Sequence, residues 1–160
     1  MKQKPILIKG FLALLMACTL AACKKKSIAD QVEIPPNAHT VSIEFRHVVD
    51  TSVLVYNKSF TTPFGEEFRV TLFKYYISNI ALIKTDSSLL WLPQTYHLIV
   101  HEDSLSHIIT LPKVPDGKYI GVQYLLGVDS IHNMTGAQEG ALDPVNGMFW
   151  NWNSGYIMAK

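Results

Sequence analysis

Cysteine is nearly missing from this chain of 160 residues: only Cys18 and Cys23 occur, and both lie close to the N-terminus. No disulfide can therefore staple the body of the chain, and a soft or borderline metal bound there must rely on imidazole, thioether or a less usual donor. Basic charge is scarce in the same region. The formal net charge of +1 rests on lysines near the start, for beyond Lys26 there are 8 Lys and Arg against 13 Asp and Glu. A weakly acidic domain has no clustered cations to displace counterions, which excludes nucleic acid as a partner. Also lacking are a nucleophile elbow, a phosphate loop, a dinucleotide fingerprint and a zinc-protease helix, so no hydrolytic or nucleotide-dependent chemistry is signalled and the chain is not expected to be an enzyme. Paired acids such as Glu66-Glu67 and Glu102-Asp103 fall among polar turn residues, as solvated surface does. There is no internal repeat and no low-complexity tract.

What is present begins with an export signal. Residues 1–22 hold 15 apolar residues and no acid; Lys2, Lys4 and Lys9 precede an apolar stretch from Ile6 to Leu20 that is too short and interrupted to span a bilayer. Leu20-Ala21-Ala22-Cys23 resembles the bacterial lipobox, in which cleavage before the cysteine leaves it lipidated. Three acyl chains, at roughly 0.8 kcal/mol per buried CH₂, make a firm anchor, and Lys24-Lys25-Lys26 can rest on anionic headgroups. The expected organisation is a signal peptide over 1–22 and a lipidated Cys23 with a polar tether to residue 38. A domain over 39–160 follows, held at the bacterial cell envelope on the periplasmic side. Two glycosylation triplets, Asn57-Lys58-Ser59 and Asn133-Met134-Thr135, are irrelevant to such a route.

The domain reads as all-β. His39 to Val49 alternates with period two, Val41, Ile43, Phe45 and His47 pointing one way and Ser42, Glu44 and Arg46 the other. Short strand-like runs follow around Val53–Tyr56, Phe68–Leu72, Tyr75–Ile83, Leu89–Leu92, Tyr96–Val100, Ile108–Leu111 and Lys118–Val128. Turn residues such as Thr62-Pro63-Phe64-Gly65 and Pro115-Asp116-Gly117 separate them. Many short strands at even spacing indicate an antiparallel β-sandwich, Ig-like or barrel-like. From Asp129 to Ser154 the texture becomes rich in Gly, Asn, Met and Trp, a loop long enough to be functional. The last strand, opened by Gly155-Tyr156-Ile157-Met158, runs into Lys160, so the domain is expected to be C-terminally truncated, with an apolar sheet edge exposed.

Six histidines carry the most chemical information. His47 shares the inward face of the first strand with Ile43 and Phe45, as either a hydrogen-bonded core residue or a ligand. His97 and His101 share a strand face about 13 Å apart at ~3.3 Å per residue, too far for one ion without a bend. His39 opens the first strand, His107 precedes Ile108, and His132 lies in the Gly-rich loop near Met134. Met148-Phe149-Trp150-Asn151-Trp152-Asn153-Ser154-Gly155-Tyr156 is the sharpest local feature. Its tryptophans could plug the core, stack on sugar or belong to a metal or redox site.

Five stretches in order resemble the motifs of the MbnP-like family, named after a protein of the methanobactin biosynthesis cassette. They are Tyr75-Tyr76-Ile77-Ser78-Asn79-Ile80; Tyr96-His97-Leu98; Gly127-Val128-Asp129-Ser130 through Asn133; Gly140-Ala141-Leu142-Asp143-Pro144; and Gly147 through Tyr156. The resemblance implies a β-sandwich-like periplasmic domain that binds copper through histidines and carries a tryptophan oxidised to kynurenine by a partner di-haem protein of the MauG or cytochrome c peroxidase type. Carried onto this chain, it points to His47 as first ligand, to His97 or His132 as a second, and to Trp150, or otherwise Trp152, as the modified residue and further donor. A non-metal role, with the two tryptophans binding a ligand or packing a partner, is the alternative.

Overall fold

The computed structural model describes residues 37–160; the expected signal, Cys23 and the tether up to residue 36 lie outside them. The architecture is an antiparallel β-sandwich. One layer pairs β1 (Ala38–Glu44) with β9 (Ile108–Pro115). The other is built on β6 (Lys74–Lys84), flanked on one side by β10 (Tyr119–Leu126) and on the other by β7 (Leu89–Trp91) and β8 (Tyr96–Val100) placed end to end. Small hairpins complete it: β2 (Val48–Val49) with β3 (Ser52–Val53), β4 (Ser59–Thr61) with β5 (Glu67–Arg69), and β11 (Phe149–Asn151) with β12 (Gly155–Tyr156).

The period-two pattern of the first strand is real: Val41, Ile43, Phe45 and His47 are each partly covered while Ser42, Glu44 and Arg46 face solvent. The regular strand ends at Glu44, however, and the alternation continues through an irregular link into β2. Between the layers, Ile109, Leu111 and Val114 of β9 meet Tyr75, Ile77, Ile80 and Leu82 of β6 and Ile99 of β8.

Strand β6 is covered on both faces, which is why its sequence is a near-continuous apolar run rather than an alternation. Its parity changes midway, since Tyr75 and Ile77 face the same core as Ile80 and Leu82. Asn79 explains this. It has φ 50°, in the left-handed region that asparagine tolerates, and there the β10 register slips between Gln123 and Leu125. One extra residue in β6 forms a bulge that returns the following apolar side chains to the core.

The other face of β6 carries a second core of Tyr76, Val128, Leu142, Met148 and Tyr156. Leu142 and Met148 come from the Gly-rich stretch expected to be loop, flanked by Val128 and Tyr156 at its two ends, and that stretch instead contains a helical turn, α1 (Ser130–Met134), two 3₁₀ turns and most of the β11–β12 hairpin. The tryptophans are not the core plug. Trp150 is 70% exposed and Trp152 81%, the latter in the hairpin turn; Met148 and Tyr156 carry the buried side chains of the motif. The chain then runs beside β6, where Lys74 and Lys160 exchange backbone hydrogen bonds at 2.8 and 2.9 Å. Among the described residues β10 bonds a neighbour on one side only, and its Ile120, Val122 and Leu126 are exposed.

Gly155 ties the hairpin to α1. It has φ 73°, and a methyl group there would lie 2.6 Å from Asn133 Cγ, whose amide oxygen accepts from the Tyr156 N–H at 2.7 Å. Gly155→Ala is expected to cost about 2–3 kcal/mol, combining about 1–2 for left-handed backbone with about 1 for the displaced hydrogen bond. Denaturant unfolding measures this, and a loss below about 0.5 kcal/mol would show that the contact is not needed.

Candidate metal centre

Three backbone hydrogen bonds bring three histidines to one end of the sandwich. The β1–β9 register pairs Glu44 with Ile108 and continues as Phe45 N–H donating to the His107 carbonyl at 2.9 Å, so His47 runs out of β1 beside His107. At the end of β8 the His101 N–H donates to the Phe73 carbonyl at 3.0 Å. A 3₁₀ turn over Ser104–His107 then reverses the chain, capped by the Asp103 side chain, which accepts from Leu105 N–H at 3.1 Å. The His47 carbonyl meanwhile accepts from Leu54 N–H at 3.0 Å and is fixed by the β2–β3 region.

The result is a compact imidazole trio. His47, His101 and His107 each offer one ring nitrogen, all within 4.8 Å of one another, and all three side chains are partly covered. His47 Nδ1 lies 2.9 Å from His101 Nδ1 and His47 Nε2 lies 2.9 Å from the Tyr75 hydroxyl. His107 Nε2 is 3.0 Å from the Val100 carbonyl. A carbonyl only accepts, so Nε2 carries a proton, and in the neutral ring of His107 it is Nδ1 that offers the lone pair, the arrangement found where a ligand histidine is oriented by an outer partner. Phe73 and Tyr75 pack edge-on against His47 at 4.9 and 5.5 Å, and Tyr56 lies 4.7 Å from His101. Burial, followed by the proximity of His107 and then His101, pushes the His47 pKa below its ordinary value, which keeps it a neutral donor at neutral pH.

These donors fit a borderline metal. Two nitrogens each ~2.0–2.1 Å from one ion at a tetrahedral angle stand roughly 3.3 Å apart, inside the range that the trio spans. Imidazoles without thiolate or carboxylate suit copper and zinc rather than magnesium or calcium. Beside His47 and Tyr75 opens a cavity of about 340 Å³, lined also by Leu54, Val70 and Phe73.

The other expected site residues lie elsewhere. His97 Nε2 is 2.9 Å from Thr95 Oγ1, and burial lowers its pKa. His132 Nδ1 is 2.9 Å from Asp129 Oδ1, in a network where Asp129 also accepts from Gln94 Nε2 at 2.9 Å and from the Tyr96 hydroxyl. Burial tends to raise the Asp129 pKa, but Tyr96, then the His132 side chain and backbone, hold it well below the usual carboxylate range. Trp150 and Trp152 are not among the aromatic rings packed on the trio, which are Phe73, Tyr75 and Tyr56. Sequence reasoning rejected a shared role for His97 and His101 on strand spacing, and treated His107 as a loop residue. The missed signal was His101 and His107 bracketing Glu102-Asp103-Ser104-Leu105-Ser106, a turn with its own capping aspartate, which folds the second histidine back onto the first.

The family model of MbnP matches residues 38–160. The chain belongs to the MbnP family. MbnP from Methylosinus trichosporium has a solved structure that superposes with a TM-score of 0.58 at 13% identity, over 77% of this chain and 54% of that one. The two share the sandwich fold, and this chain spans about half the length of its solved relative. No curated protein matches the chain. The MbnP family is associated with copper handling, and this member has three imidazoles that can form a metal site.

Proposed function

We propose that this MbnP-family chain is a lipid-anchored copper-binding protein of the bacterial envelope, facing the periplasm, that acts in copper acquisition or handling and is not an enzyme. The convergence of His47, His101 and His107 carries the reading, because three half-covered imidazoles each offer a ring nitrogen within 4.8 Å of the others, a spacing at which one ion can be shared. The Leu20-Ala21-Ala22-Cys23 lipobox supports anchoring through Cys23. Imidazole ligands suit both common oxidation states of copper.

Kynurenine formation is the finer part of the proposal. Trp150 and Trp152 are exposed, which leaves them within reach of a large di-haem partner, and the modified residue is expected at Trp150. The same exposure supports the second reading, in which these side chains dock a partner or stack on a ligand. Copper titration of the mature protein against a competing chelator separates the two, with one copper per chain expected. No binding above that of a variant lacking all three trio histidines would leave only the second reading.

A further inference from the structure

The trio contains one histidine with a fixed proton and one whose proton is free to move. His107 is fixed by the Val100 carbonyl at 3.0 Å. His47 is bonded instead to a hydroxyl, the Tyr75 phenol, at 2.9 Å from Nε2. A phenol both donates and accepts, so it serves either tautomer of the ring, which a carbonyl or a hydrocarbon cannot do.

We propose that Tyr75 is the positioning residue of the centre: by partnering Nε2 of His47 it assigns metal coordination to Nδ1, changing from hydrogen-bond donor to acceptor as the site is loaded. In the metal-free state, His47 Nε2 is the hydrogen-bond acceptor available to the Tyr75 O–H among the described residues. The single ring proton of neutral His47 then sits on Nδ1 and is shared across 2.9 Å with His101 Nδ1. Coordination needs the Nδ1 lone pair. The ring proton passes to Nε2, where the phenol oxygen accepts it, and the Tyr75 O–H rotates about its C–O bond toward the cavity of about 340 Å³ that it lines. His47 keeps one ring proton and Tyr75 keeps its own; no electron moves.

Geometry supports the assignment independently of this exchange. His47 Nδ1 faces His101, whereas Nε2 faces Tyr75, a residue 7% exposed whose ring packs in the inter-layer core with Phe45 and Phe73. Packing explains the ring but not the hydroxyl. Nδ1 is also the free nitrogen of His107, so the residues flanking the trio leave the same edge of both imidazoles available.

The inference rests on the trio being a metal site, and its test separates the two. In ¹⁵N-histidine-labelled mature protein loaded with Zn²⁺ as a diamagnetic probe, the coordination shift is expected at Nδ1 of His47 and His107, with Nε2 of both protonated. Tyr75→Phe, which keeps the ring, is expected to weaken Zn²⁺ and Cu(I) binding by about ten- to a hundredfold, the range typical of outer-shell partners, and to change the His47 tautomer signature in the metal-free protein. A Tyr75→Phe protein that melts like the parent yet binds within about twofold of it, or an Nε2 coordination shift at His47 in the unaltered protein, overturns the assignment. The nitrogen shift is read on unaltered protein, so it stands even if the variant folds poorly. Absence of binding by the unaltered protein would overturn the metal reading and this inference together.

Discussion

His47→Ala is expected to weaken copper binding by more than about a hundredfold, beyond the ten- to hundredfold that loss of an outer-shell partner produces. The reason lies in where His47 stands. Its ring centroid is 5.1 Å from that of His101 and 4.6 Å from that of His107, so it is the link between two imidazoles that are themselves 6.2 Å apart. Removing it leaves a pair with no third donor and opens the site toward the cavity lined by Leu54, Val70 and Phe73. His101→Ala and His107→Ala are expected to act in the same direction. His97→Ala and His132→Ala are expected to stay within about twofold of the parent, because their rings are engaged by Thr95 and Asp129 and not by the trio. Competition titration with a chelator of known affinity measures all five. A His47→Ala protein with unchanged stoichiometry and affinity would sink the site, and strong loss on His132→Ala alone would move it to the Asp129 network.

The same comparison shows what the sequence made legible. Alternation along residues 41–47 gave both the sandwich face and the inward placement of His47, because a period-two pattern with one covered face admits only one register. The double burial of β6 was hidden by its bulge: with Asn79 at φ 50°, no single periodicity describes Tyr75, Ile77, Ile80 and Leu82 together. The fate of the tryptophans was likewise not readable from hydrophobicity. Met148 and Tyr156 fill the second core, while Trp152 falls on a turn fixed by Asn151 Oδ1, which accepts from Asn153 N–H at 2.9 Å and Ser154 N–H at 2.8 Å. Histidines 101 and 107 depended on long-range pairing. Their meeting with His47 requires the β1–β9 register and the His101–Phe73 hydrogen bond, neither of which local spacing contains.

The sandwich thereby gives the centre its character. His47 stands on the link between β1 and β2, His101 directly follows β8 and His107 closes the 3₁₀ turn before β9, each in a segment held by backbone hydrogen bonds; donors mounted in this way lose little freedom when a metal arrives. The rings of Phe73 and Tyr75 pack edge-on against His47, and burial disfavours the protonated form of His47. Burial also pushes the Tyr75 phenol up to about 12, so the hydroxyl remains protonated and able to serve as a neutral hydrogen-bond partner.

Acid is expected to empty the centre and, in the metal-free protein, to reduce stability. Each imidazole that must shed a proton to ligate lowers the apparent affinity by up to about tenfold per pH unit once it is protonated, so moving from about pH 7.5 to about pH 5 is expected to cost on the order of a hundredfold or more. His47 yields later than an ordinary imidazole because its pKa is lowered by burial, then by His107 and His101. The groups facing it are those two rings and the Tyr75 hydroxyl, while the neighbouring Arg46 guanidinium is turned outward to Glu44 at 2.9 Å. The sign for stability follows. The folded state holds His47 less readily protonated than the unfolded chain, so its contribution is full above the unfolded pKa of about 6.5 and declines as pH falls through the lower folded value. In His47→Gln, which cannot titrate, this part of the acid dependence is expected to disappear. Unfolding free energies of metal-free parent and variant between about pH 8 and pH 4.5 test it. Parallel profiles would show that His47 is not the group responsible. A parent that gained stability relative to His47→Gln on acidification would show that His47 is instead stabilised in its charged form, which would remove the physical basis for reading it as a neutral ligand.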